Sequence, residues 1–170
     1  MIIILNGPLG IGKSATSWKL ISLFDKAIML DGDYIGAVHP FEIQDKYRTT
    51  YLYKTITHLI AFHQKNDYQN FVINYVFETE LELNQLIQFL APLDDSIHCL
   101  RLTCDAEAHK KRIKERNHKD IEYEIQRGLE LADIQNKNAM QGNLGKIVET
   151  TFLNPQEVAE LIYESVHTDF

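Results

Sequence analysis

Eight residues near the start of the chain, Gly7-Pro8-Leu9-Gly10-Ile11-Gly12-Lys13-Ser14, restrict the possible folds more than any other stretch. They match the spacing G-x-x-x-x-G-K-[ST] in full. A short β-branched run, Ile2–Leu5, precedes them, and an amphipathic helical pattern follows from Lys13 to about Phe24. A glycine-rich turn with an incidental Lys-Ser needs neither flank. Glycines let the backbone curl until several N–H groups converge on one anion. The helix starting near Lys13 adds its positive end to the same point. Lys13 is then placed to reach the outer phosphates of a nucleotide, and the Ser14 hydroxyl to ligate Mg²⁺. The expected nucleotide-binding set is Gly7, Leu9, Gly10, Ile11, Gly12, Lys13, Ser14 and Ala15.

The remaining chain alternates short apolar runs with helical patterns. Strands are expected at Ala27–Leu30, Phe71–Phe77, Ile97–Thr103 and Lys146–Glu149. In the first helix Trp18, Leu20, Ile21 and Phe24 are expected to face inward. A long helix is expected from Phe41 to His63, and others to about Leu90, after Asp105, and over Ile121–Met140. Thr79 with Glu82 forms a capping box, and Asn154-Pro155-Gln156-Glu157 is a start signal for a final helix. Strands separated by helices imply an α/β fold with a parallel sheet covered on both faces, binding ligands beyond the carboxyl ends of its strands.

At 170 residues, 45% hydrophobic and 24% charged, the composition fits one globular domain with a real core. The net charge of −7 disfavours nucleic acid and anionic membranes as partners, so any anion site must be local. Cys99 and Cys104 form no ligand pattern and read as buried free thiols. No signal peptide or membrane-length apolar run is evident, so a cytoplasmic location is expected.

Asp31 and Asp33 end the second strand in Leu30-Asp31-Gly32-Asp33, which puts carboxylates at the nucleotide edge of a parallel sheet. Asp33 is expected to act as base or to orient the substrate hydroxyl, and Asp31 to support Mg²⁺ through water. Asp-Gly-Asp is equally good turn chemistry. Asn74 on the third strand stands where many phosphate-loop proteins carry an acidic metal ligand, which increases the burden on the two aspartates. Lys110, Lys111, Arg112, Lys114, Arg116 and Lys119 are six of the 17 Lys and Arg, packed into ten residues. Their lysines read as a solvated face. Arg112 and Arg116 share a helix face and suit the stabilisation of charge on a transferring phosphoryl group. Arg127 is a weaker candidate.

Taken together, GPLGIGKS at 7–14, LDGD at 30–33, LTCDAEAHKKRIKER at 102–116 and VETTFLNPQEVAELI at 148–162 resemble the small P-loop kinases. That group holds shikimate kinase, gluconate kinase, adenylylsulfate kinase and chloramphenicol phosphotransferase. The segment INYVFETELELNQL is also similar to tunicamycin-resistance-type ATP-binding proteins. The resemblance implies a three-layer α/β/α P-loop NTPase fold with five parallel strands in the order 2-3-1-4-5. It implies a helical lid at about 112–122, an acceptor-binding region at about 34–70, ATP as donor, and a carboxylate near Asp33 acting on the acceptor hydroxyl.

The acceptor side draws on Tyr34, His39, Phe41, Arg48, Tyr51, Tyr75 and Phe77, most of whose aromatics are expected in the core. Arg48 and Tyr75 are, with Asp33, the expected substrate contacts. A single arginine there favours a neutral or antibiotic-like acceptor over a nucleotide. The leading expectation is therefore transfer of the ATP γ-phosphoryl to a small-molecule hydroxyl. A nucleoside or nucleotide kinase is the alternative within the enzymes, and a non-transferring nucleotide switch or drug-resistance protein the alternative outside them. Asn136-Lys137-Asn138-Ala139 lacks the aspartate of a guanine-recognition motif, which disfavours a GTPase.

Overall fold

The computed structural model describes residues 1–35, 39, 46–116 and 119–168, with backbone only at Lys46 and Arg48. In chain order the elements are β1 Ile2–Asn6, α1 Lys13–Ile21, β2 Ala27–Asp31, α2 Lys46–Gln64, β3 Asn70–Asn74 and α3 Glu80–Leu90. They continue with β4 Ile97–Thr103, α4 Ala106–Glu115, α5 Ile121–Ala139, β5 Lys146–Glu149 and α6 Pro155–Thr168. The strands form one sheet in the order β2-β3-β1-β4-β5. Every pair in it is parallel. This is the expected three-layer α/β fold.

Because side chains alternate across a strand, the two sheet faces have separate cores. Ile2, Ile4, Phe71 and Ile73 meet Ile56 and Ile60 of α2 and Leu83, Leu86 and Leu90 of α3. Ile3, Leu5, Val72, Leu100 and Leu102 meet Leu20 of α1 and Val158, Ile162 and Val166 of α6. Every residue of β1 is buried, which explains its uninterrupted apolar run. Local signals hold: Thr79 and Glu82 form the reciprocal capping box of α3. Asp105 caps α4 through Ala108 N–H at 2.7 Å.

Several boundaries and orientations differ from expectation. Trp18 is 63% exposed rather than inward. The buried face of α1 is Lys13, Thr16, Ser17 and Leu20, a stripe of helical period that places Trp18 opposite. This helix ends at Ile21, and Leu23 and Phe24 continue as turns bonded to Leu20 and Ile21. The third strand stops at Asn74, because its neighbour β1 stops at Asn6, whose side chain accepts the Phe77 N–H at 2.9 Å. On α2, Tyr47 and Phe62 are exposed while Tyr53 is buried. The expected helix start at residues 41–45 lies outside the described residues. Cys99 and Cys104 are free thiols, half-buried, and burial pushes both up to about 11.

Candidate nucleotide site

All five strands point the same way, so the residues that follow β1, β2 and β3 emerge at one edge of the sheet. There they open into a cleft of about 650 Å³, within the range of roughly 300–1,000 Å³ occupied by small-molecule sites. Residues Leu9–Thr16 form one wall, with Asp31, Asp33, Tyr34 and Asn74 to one side. Arg112, Arg116 and the segment Thr150–Pro155 line the other.

Gly12 caps α1 with φ +113 and no side-chain hydrogen bond, so no side chain of this chain takes the cap's place at the helix end. Lys13 is buried and donates from Nζ to the carbonyls of Gly7 at 2.9 Å and Pro8 at 3.1 Å. Burial lowers its pKa from 10.5 to about 8, against the pull of Asp33 and then Asp31, while Arg116 pushes the same way as burial. The ammonium is thus held inside the loop at some cost, where an anion would repay it.

The Ser14 hydroxyl donates to Asp31 Oδ2 at 2.8 Å. Two oxygens on adjacent corners of a Mg²⁺ octahedron, each about 2.1 Å from the metal, stand about 3 Å apart. Ser14 and Asp31 are therefore the residues that would hold the expected ion. Among the described residues there is no cluster of three or more His, Cys, Asp or Glu that could hold a metal by itself. Asp31 Oδ1 accepts the backbone N–H of Asp33 at 3.0 Å, so the Asp-Gly-Asp turn is itself part of the site. The Asn74 amide donates to Ser17 Oγ at 3.3 Å, and Ser17 bonds the Lys13 carbonyl at 2.9 Å. Asn74 thereby braces the start of α1.

The two arginines, expected to act together, are divided. Arg112 donates from Nη1 to Ile11 O at 3.1 Å and Thr150 Oγ1 at 2.8 Å, and from Nη2 to the carbonyls of Thr150 and of Leu153. Its guanidinium thus ties the phosphate loop to the β5–α6 connection while the side chain also lines the cleft. Arg116 remains half-exposed at the cleft and pairs loosely with Glu124 at 3.5 Å. Within the lid expected at 112–122, residues up to Glu115 belong to α4 and those from Ile121 to α5, while 117 and 118 lie outside the described residues.

On the acceptor side, Tyr34 lines the cleft and is 85% exposed. Tyr75 does not line it. Its ring lies over Gly32, where a Cβ would come within 2.4 Å of it, and meets Phe77 edge-on at 5.3 Å. Phe77 is core, Tyr51 stacks on Tyr47, and His39 is exposed. Phe41 and the side chain of Arg48 lie outside the described residues. Arg127 pairs with Glu78 and Glu130.

Sequence reasoning missed the support beneath the loop. His109 of α4 is 1% exposed and contacts Leu9 O through Nε2 at 2.7 Å. It sits one turn before Arg112, so extending the Arg112–Arg116 stripe backwards was a signal that could have found it. Gly128 of α5 backs onto the same carbonyl: a Cβ there would lie 2.8 Å from Leu9 O and 2.9 Å from Ile113 Cδ1. Gly128→Ala is expected to lower stability by roughly 1–2 kcal/mol despite alanine's better helix propensity, since backbone must give way. A urea titration showing equal or greater stability would remove this contact from the account. Asn6 is the other missed residue; its Oδ1 accepts from Gly7 N–H at 2.7 Å and from Gln135 Nε2 at 2.9 Å.

The strand order and the phosphate loop define an α/β P-loop kinase-like fold. Solved structures agree: the tunicamycin resistance protein of Deinococcus radiodurans superposes with TM-score 0.69 and 15% identity, over 98% of this chain and 95% of its own. A gluconokinase from Sinorhizobium meliloti 1021 gives 0.66 and 13%, over 97% and 90%. Shikimate kinase from Acinetobacter baumannii, in complex with shikimate, gives 0.62 and 20%, over 99% and 93%. No protein-family model and no curated protein matches the sequence. At such identities the likeness carries the fold, and the chemistry must be argued from the side chains.

Proposed function

We propose that this protein is a kinase that moves the γ-phosphoryl of Mg-ATP to a hydroxyl of a small molecule. The observation that carries the reading is the Ser14–Asp31 contact of 2.8 Å beside the buried Lys13 at the mouth of the phosphate loop. That trio has the geometry and charge to hold a metal-bound triphosphate. When bound, Mg²⁺ would neutralise phosphate charge and orient the phosphoryl group.

The chain's own residues divide the remaining work. Lys13 and the loop amides bind the phosphates, and Arg116 is placed to exchange Glu124 for the transferring group. Arg112 holds the loop and the β5–α6 segment as one wall of the cleft. Asp33 lines the cleft together with Lys13, which supports a carboxylate near the phosphate end. From there it orients the acceptor hydroxyl and takes its proton. Arg127 is engaged by Glu78 and Glu130, and Arg116 is already given to the transferring group, so neither is left for an anionic acceptor. This supports an uncharged alcohol over an anionic acceptor. The neighbours named for shikimate, gluconate and tunicamycin support the general class.

A transfer screen tests the reading: Mg-ATP with sugars, nucleosides, hydroxy acids and antibiotics as acceptors. For a confirmed acceptor, Asp33→Asn is expected to lower kcat by about 10²–10⁴ while ATP affinity stays within a few-fold. Full transfer by that variant removes Asp33 from the chemistry. A second reading, a nucleotide-binding protein with little or no turnover, draws on Asn74, which supplies an amide where an acidic metal ligand would add charge. Tight binding of Mg-ATP with transfer to no acceptor would favour it.

A further inference from the structure

We infer that His109 is a positioning residue that holds the Leu9–Gly10 peptide in the orientation needed to bind phosphate; this rests on the nucleotide-binding reading above. A carbonyl oxygen only accepts, so the His109 Nε2 lying 2.7 Å from Leu9 O must carry the proton. Burial, and after it the charges of Arg112 and Lys13, hold the imidazole below its usual 6.5 against the opposing Leu9 hydrogen bond. The ring is therefore neutral with its tautomer assigned by geometry.

The consequence follows from peptide planarity. In a trans peptide the C=O and the following N–H point in opposite directions. Drawing Leu9 O towards α4 turns the Gly10 N–H away from α4, towards the cleft that Gly10 lines. Gly10 has φ +79, a region where glycine makes either peptide orientation inexpensive, so the sequence of the loop does not enforce the choice. An external contact must. The same helix does this again one turn later, where Arg112 Nη1 lies 3.1 Å from Ile11 O and so orients the Gly12 N–H. Gly128 leaves room for Leu9 O to point this way, and Ile113 closes over Gly10, where a Cβ would fall within 2.3 Å of its Cγ1. The anion nest is thus set from beneath by α4 before any phosphate arrives, which spares the ligand the work of turning the peptide.

The test uses Mg²⁺ with inorganic tripolyphosphate as probe, measured by calorimetry and by amide NMR of the full chain. In wild type, tripolyphosphate should move the Gly10 amide proton downfield. His109→Met keeps bulk without a donor and is expected to bind about tenfold to a hundredfold more weakly, with that Gly10 response lost. His109→Gln restores a donor and should return affinity to within a few-fold, with the Gly10 response regained. Equal affinity and an intact Gly10 response in His109→Met overturn the inference, as do equal losses in both variants, which would mark His109 as packing alone. Wild type can overturn it unaided, by binding tripolyphosphate with no movement of Gly10. Wild type that binds no tripolyphosphate at all overturns the nucleotide reading and this inference together.

Discussion

Lys13→Met is expected to abolish nucleotide binding and to make the folded protein more stable. The methionine keeps the stem that packs in the loop and removes an ammonium that burial has brought from 10.5 down to about 8. At neutral pH both folded and unfolded chains hold the proton, so the full penalty of the buried charge stands. A depression of this size corresponds to a penalty of about 3 kcal/mol. Losing the hydrogen bonds to Gly7 and Pro8 offsets part of it, leaving an expected gain of roughly 1–2 kcal/mol. The pH dependence has a definite sign. Between about 8 and 10.5 the folded state releases the proton while the unfolded state keeps it, so wild-type stability rises with pH in that window. Lys13→Met lacks this rise of about 3 kcal/mol, so the two stabilities cross within the window and wild type is the more stable at its upper end. Denaturation at pH 7 and pH 10 measures this directly. Nucleotide affinity should fall at least a hundredfold, and transfer about a thousandfold. A variant less stable than wild type at pH 7 would show that the ammonium is a net structural asset without ligand.

Arg112→Met is the second large effect, and its direction separates two roles for this residue. The guanidinium joins Ile11, Thr150 and Leu153 across three segments distant in sequence. Removing it leaves half-buried carbonyls to find water, at an expected cost of roughly 2–4 kcal/mol and a Tm lower by about 5–12 °C. Arg112→Lys should recover little, since one ammonium cannot serve acceptors arranged around a planar fork. Nucleotide affinity falls as well, because the Thr150–Asn154 wall loses its tie to the loop. An arginine acting only on the transferring phosphoryl group behaves otherwise: Tm is unchanged, ATP affinity is nearly unchanged, and kcat drops. Thermal denaturation beside turnover decides between them.

Much of this protein was legible before any coordinates. The phosphate loop, β4 over Ile97–Thr103, the Thr79–Glu82 box, the Asp105 cap and the start of α6 at Pro155 coincide with the structure. Each depends on residues within one or two turns of each other. Of the expected nucleotide set, Leu9–Ala15 line the cleft and Gly7 does not, and Ser14 meets Asp31. Less legible were residues whose surroundings come from elsewhere in the chain. The inward Trp18 rested on counting apolar residues, whereas the burial of α1 is set by which side faces the sheet, and that side carries Lys13, Thr16 and Ser17. The Tyr75 ring lies over Gly32 because β2 and β3 are paired neighbours.

The sequence by itself determined the strand–loop–helix around the glycine-rich motif, the alternation that builds a parallel sheet, and the caps that begin its helices, because spacing and local hydrogen bonding suffice for these. Only the tertiary structure decided what the residues of α4 touch. His109 lies 100 residues from Leu9, and Arg112 is 101 from Ile11 and 38 from Thr150. A side chain with several possible partners takes the one that folding brings within about 3 Å, and no local pattern encodes that distance.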